Sequence, residues 1–181
     1  MRKILANNSD TDFIIALRNH PQIKQYFFSM ADLTKEGHFK YLEAAEKRGD
    51  LIFIVEKLNK PIGQIAITAI DQVSKRASSG LFALQPELMG SGLGAFVEYN
   101  ILSYVFAVLK LDRLYVEVMD SNIAVRHLHE GFGFQLEGIL RKHIVINAQA
   151  HDVYYYAMLK EEWNEQRFAR IFGQRILNEP Y

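Results

Sequence analysis

The chain is 181 residues long, enough for one domain with a full hydrophobic core, and it has no cysteine, which excludes disulfides, thiolate metal sites and a cysteine nucleophile. Lysine plus arginine and aspartate plus glutamate number 21 each, so no polycation is available to hold a nucleic-acid partner. No apolar run is long enough to span a bilayer and the start lacks a signal-peptide pattern, so a cytoplasmic protein without a membrane partner is expected.

Met1 to Leu5 reads as a short strand. Ser9-Asp10-Thr11-Asp12 offers N-cap residues for a short helix in which Phe13, Ile14 and Leu17 share a face. That helix stops at Asn19-His20-Pro21, because the residue before proline is pushed out of the helical region. Arg18, Asn19 and His20 thus gather at a helix end beside the aromatic run Tyr26-Phe27-Phe28. The same pattern also describes an ordinary capped end with an aromatic core patch. Thr34 starts a second helix through Arg48, with His38 in its first turns and Gly49 as its stop.

Leu51 to Lys57 and Ile62 to Ile70 read as a hairpin turned at Asn59-Lys60, and Arg76 to Leu84 adds the third strand of an antiparallel meander. That strand closes at Gln85-Pro86 and runs into Met89-Gly90-Ser91-Gly92-Leu93-Gly94. Leu93, Phe96, Val97, Ile101, Tyr104, Val105 and Val108 then follow helical spacing. A strand, a glycine turn and a helix leave several backbone amides pointing with the helix's positive end at one spot, which suits phosphate. A P-loop is excluded, because Ala95-Phe96 stands where Lys-Ser/Thr would be needed. A dinucleotide turn lacks its third glycine at Val97, although Glu117 or Asp120 could serve as its later acid. A plain tight turn stays open.

Arg113 to Met119 is a further strand, and Asn122 caps a helix whose inward stripe is Val125, Leu128, His129 and Phe132. Phe134 to Ile146 and His151 to Lys160 form a second hairpin around Asn147-Ala148-Gln149. From Trp163, within a tail of about 162–181, Phe168, Ile171 and Phe172 suggest a docked amphipathic helix, on this chain or on a second copy in a homodimer. This order gives an α+β or mixed-sheet architecture and argues against the dinucleotide reading, which needs repeated βαβ units.

Two stretches together resemble the GNAT acetyltransferase superfamily. One is Leu84-Gln85-Pro86 followed by the glycine turn, and the other is Asn122 through Gly133-Phe134. The resemblance implies a mixed, mostly antiparallel central sheet flanked by helices, with acetyl-coenzyme A as co-substrate and no metal. Arg18-Asn19-His20-Pro21 and Gly37-His38-Phe39 look further like the enzymes that acetylate UDP-linked 4-amino sugars on the pseudaminic-acid route of flagellin glycosylation. The second half is similar as well to ribosomal-protein N-terminal and polyamine acetyltransferases. Met89 departs from the usual Arg or Gln, Val125 from a small residue, and His129 from the usual tyrosine acid.

The resemblance assigns the coenzyme A pyrophosphate to the amides from Gly90 to Ala95, across Ser91, Gly92, Leu93 and Gly94, with Met89 adjoining. It assigns the pantetheine arm to the strand edge at Phe82 and Leu84 and to Asn122. His129 could return a proton to the departing sulfur, since imidazole titrates in the working range, or it could be a packed core histidine. Glu117 is the candidate base, and a water chain would serve equally. Arg18 would meet an acceptor diphosphate, and Phe28, Asn19, His20 and His38 would complete the acceptor pocket. A non-catalytic coenzyme A sensor is the third reading, kept open by His129 and Met89.

Overall fold

The computed structural model describes residues 1–172. β1 (Arg2–Lys3) leads to α1 (Asn8–Asn19), the short α2 (Pro21–Lys24) and α3 (Lys35–Arg48). Then come β2 (Leu51–Lys57), β3 (Lys60–Asp71), β4 (Arg76–Leu84), α4 (Leu93–Ser103), β5 (Arg113–Met119) and α5 (Ile123–Phe132). β6 (Gln135–Ile146), β7 (Gln149–Leu159) and α6 (Glu165–Phe172) complete the described residues. The strands form one seven-stranded sheet in the order β1-β2-β3-β4-β5-β7-β6. Every pairing is antiparallel except β4 with β5. The expected mixed, mostly antiparallel sheet flanked by helices is what forms.

Period-two alternation decides which face each helix covers. Phe53, Val55, Ile65 and Ile67 join the main core with Val97, Ile101 and Leu102 of α4, whereas Ile52 and Ala66 pack against Leu42 and Ala45 of α3. α4 is buried at every position from Val97 to Ser103, as a helix enclosed on all sides must be. Sequence spacing carried this helix to Val108. Its last turn, Tyr104–Val108, is instead π-helical.

One helix start differs from the sequence reading. Asn7, not the Ser9–Asp12 group, caps α1, its Oδ1 accepting from the Asp10 amide at 2.9 Å. Asp10 is buried and accepts two 2.7 Å bonds from Arg2, which ties α1 to the edge strand. Thr34 caps α3 and Gly49 ends it, as expected. At the other end, Phe168 of α6 stacks on Phe132 and Trp163 at 4.5 and 5.2 Å, so the expected helix docks on its own chain. Ile171 is exposed and takes no part. The Phe172 side chain and residues 173–181 of the expected tail lie outside the described residues.

The Arg2–Asp10 contact makes acid stability testable. Arg2 first, and the Leu5 amide after it, hold the Asp10 carboxyl below its ordinary range against the opposing effect of burial. A folded pKa below the unfolded one adds stability that is complete above the unfolded value, about 3.9, and is lost as pH falls through the folded value. Asp10→Asn is expected to cost about 1–2 kcal/mol at pH 7. The gap to wild type should shrink in urea melts at pH 3, and a gap of the same size at both pH values would dismiss the charge as its source.

Candidate active site

The parallel pair β4–β5 is joined only at its base. Arg76–Ser78 pair with Arg113–Tyr115, while β4 runs on to Leu84 and β5 to Met119. A bulge accounts for the parting. Between the pairs Gln64–Ala83 and Ala66–Gly80, Leu81 and Phe82 stand opposite Ile65 alone, and Leu81 takes a φ of 54°. The extra residue bends β4, so its edge beyond Ser78 pairs with no residue of β5.

Two cavities meet at this opening. The larger, about 870 Å³, lies between β4, β5, α1 and α3, and the smaller, about 290 Å³, lies over the glycine turn. Phe82, Asn122 and Val125 line both, so the two volumes adjoin along the parted strands. The larger is of the size that small-molecule sites have.

The smaller cavity carries most of the expected donor residues. Gly90 and Gly92 adopt φ of 75° and 84°, conformations that glycine takes without strain. The Ser91 and Ala95 amides donate to the Leu88 and Gly92 carbonyls at 3.2 and 3.1 Å. Among the described residues, the Gly90, Gly92 and Gly94 amides have no partner. The unpaired amides in the expected run from Gly90 to Ala95 are thus those of the three glycines, at the positive end of α4. Leu84, Met89 and Ala95 line the same cavity, whereas Ser91 and Leu93 do not, the Ser91 hydroxyl donating to the Leu88 carbonyl at 2.6 Å. Asn122 caps α5 through a long 3.4 Å contact from the Val125 amide.

The larger cavity holds both expected catalytic residues and part of the expected acceptor set. Glu117 is exposed on β5 and His129 is buried on α5, its ring 4.9 Å from Phe134. Arg18 and Phe28 line the cavity. The Arg18 guanidinium lies 3.4 Å over the Phe27 ring, and among the described residues it has no hydrogen bond or carboxylate partner. Burial pulls its pKa down to about 10, so it stays charged at neutral pH.

Asn19, His20 and His38 are not brought to the cavity. Asn19 accepts from the Leu33 amide at 2.8 Å and donates to the Leu33 carbonyl at 3.0 Å, closing the loop after α2. His20 caps α2 by accepting from the Gln22 amide. His38 is buried, and desolvation followed by the Arg18 charge holds its imidazole below the usual range. Among the described residues, no three histidine, aspartate or glutamate side chains are grouped to hold a metal ion.

The acetyltransferase (GNAT) domain family matches this chain over residues 2–135. The chain belongs to the GNAT acetyltransferase family. The family is one of acetyltransferases. The putative ribosomal N-acetyltransferase YdaF of Bacillus subtilis is 30% identical over 105 residues, covering 58% of this chain and 57% of its own. The alignments with YdaF and with the other Bacillus relatives YoaA and p20 span less than two thirds of those relatives' lengths. Acetyltransferase PseH of Campylobacter jejuni is 27% identical over 159 residues, 86% of this chain and 88% of PseH. The spermidine N-acetyltransferase of Vibrio cholerae, solved with CoA and spermine, superposes with a TM-score of 0.81 at 25% identity, over 89% of this chain and 95% of that one.

Sequence reasoning missed several residues of this GNAT cavity. Tyr41, Arg48 and Asp50 reach it from α3 and the loop after it, and Arg48 bonds Asp50 at 2.7 Å. Glu98 of α4 is 2% exposed and lines it too. Its signal was present: Glu98 is the one charge in Val97–Ser103, where an enclosed helix would carry none without a use.

Proposed function

We propose that this chain moves the acetyl group of acetyl-coenzyme A directly onto a primary amine, and that the amine is the 4-amino group of a UDP-linked sugar. The observation that carries the acceptor is Arg18. A half-buried guanidinium without a carboxylate, its Nε inaccessible, is costly unless a ligand supplies the anion, and its planar fork matches a diphosphate. The carboxylates Glu98 and Glu117 line the same cavity from α4 and β5. An acceptor with an anion for Arg18 and an ammonium for the exposed Glu117 suits both charges. The resemblance of Arg18-Asn19-His20-Pro21 to the amino-sugar enzymes, and the PseH alignment across most of the chain, support this reading.

On the donor side, the Gly90, Gly92 and Gly94 amides hold the pyrophosphate, and the unpaired β4 edge at Phe82 and Leu84 meets the pantetheine amides as an added strand would. Amides on that edge stabilise the oxyanion as charge develops. Glu117 takes a proton from the ammonium, freeing the lone pair. His129 gives a proton to sulfur as the carbon–sulfur bond breaks with its electron pair on sulfur.

A polyamine acceptor is the second reading, favoured by the Vibrio cholerae neighbour solved with spermine. Arg18 opposes it, since a polycation offers that guanidinium nothing. Thiol release from acetyl-coenzyme A with a UDP-4-amino sugar, spermidine and an N-terminal peptide separates the two. The nucleotide sugar is expected to give a kcat/KM at least about tenfold above the others, the worth of one charge-assisted contact. Higher turnover with spermidine would reverse the assignment.

A further inference from the structure

Glu98 and His129 face each other inside the larger cavity from two different helices, α4 and α5. His129 Nδ1 lies 3.4 Å from Glu98 Oε1, with the side chains only 7% and 2% exposed. Neither atom is accessible, and neither has a hydrogen-bond partner among the described residues. Water therefore cannot satisfy them, and each lies 3.4 Å from the other.

An orphaned carboxylate oxygen in an enclosed helix is destabilising. A proton on Nδ1 directed at Oε1 relieves both atoms at once, and catalytic contacts are commonly long and misaligned until ligands bind. We propose that Glu98 is the positioning residue for His129: it holds the ring with its proton on Nδ1, so that Nε2 is the nitrogen that exchanges protons with the reacting groups. This rests on the acid role given to His129 above.

The step balances without a further reactant. The ring carries two protons before transfer, and the Glu98 carboxylate compensates that charge where no solvent reaches. The Nε2–H bond breaks, the S–H bond forms, and the pair from the broken carbon–sulfur bond takes up the proton. The neutral ring that remains keeps its Nδ1 proton on Glu98, which is the tautomer able to accept a new proton at Nε2. A residue that orients histidine in this way does not touch substrate, so its removal should affect turnover more than binding.

Glu98→Gln preserves the volume and removes the charge. Its kcat should fall about tenfold at pH 7.5, less than for loss of the acid itself, with KM for donor and acceptor within about twofold of wild type. The alkaline limb of its kcat profile should also move to lower pH, because the doubly protonated ring has lost its counter-charge. An unmoved limb would overturn the proposal, as would losses confined to KM. A second readout needs no Glu98 variant. In 15N-labelled wild-type protein at high pH, the signal absent from His129→Ala should report a neutral ring protonated at Nδ1, and protonation at Nε2 instead would refute the assignment. If His129→Ala itself leaves kcat intact, it is the acid role that fails. If His129→Ala is slow but Glu98→Gln is not, Glu98 alone is wrong.

Discussion

His129→Ala is expected to lower kcat by about 10²–10³-fold, the range of a lost general acid, while the dissociation constant for coenzyme A stays within about twofold. The separation follows from position. The amides available to the pyrophosphate are those of Gly90, Gly92 and Gly94, whereas His129 lines the other cavity, beyond Phe82 and Asn122. A packing role predicts a different outcome. The ring rests 4.9 Å from Phe134, and its removal would loosen α5 and the Asn122 cap together, so donor affinity and kcat would fall in step. The variant also leaves Glu98 buried opposite a methyl group, at a cost of about 1–3 kcal/mol. Thermal melts must therefore accompany the kinetics, and kcat should be compared well below both midpoints. His129→Asn adds a control, since it retains a polar group for Glu98 without a transferable proton. Its kcat should be as low as that of the alanine variant, and activity near wild type would remove His129 from the chemistry.

The half of the site made by local backbone was legible from residue order. Gly90, Gly92 and Gly94 follow a strand and open a helix, and the positive φ of Gly90 and Gly92 follows from the absence of a side chain. Asn122 and the inward stripe ending at Phe132 were equally plain, because helical spacing alone places His129 inside. The half made by long-range packing was not. Nothing local distinguishes Arg18, which meets the cavity, from Asn19, which bonds Leu33 fourteen positions away. The use of each depends on how the loop after α2 returns. Glu98 stood out as the one charge in its run, but its partner was hidden for the same reason. Its neighbours predict the helix, but only the placement of α5 over α4 brings it to His129. The bulge at Leu81 lies beyond sequence reach as well, since a leucine at positive φ contradicts its own preference and is imposed by the sheet.

Arg18→Met should do two opposite things. The methionine fills the space of the side chain's stem against Phe27 and removes a charge that burial already disfavours, as the lowering of its pKa to about 10 records. Because the folded value lies below the unfolded one for a cation, the folded state binds that proton less readily. The penalty is therefore complete at every pH below about 10, including neutrality. Replacing the cation with an apolar side chain should stabilise the free protein by about 1–2 kcal/mol. For a chain of this length that is a rise in Tm of about 2–8 °C, offset in part by the lost contact over the aromatic ring. The acceptor, if anionic, loses its charged partner. Its KM should rise about 30–100-fold, with the donor KM unchanged, as expected for a charge-assisted contact worth about 2–3 kcal/mol. A spermidine-like acceptor would respond in the other direction, since the variant removes a repulsive charge from its cavity. A more stable protein with a weakened nucleotide-sugar KM would identify Arg18 as a residue kept for its ligand against the interest of the fold. A less stable protein with an unchanged acceptor KM would make it a packing residue and withdraw the main support for an anionic substrate.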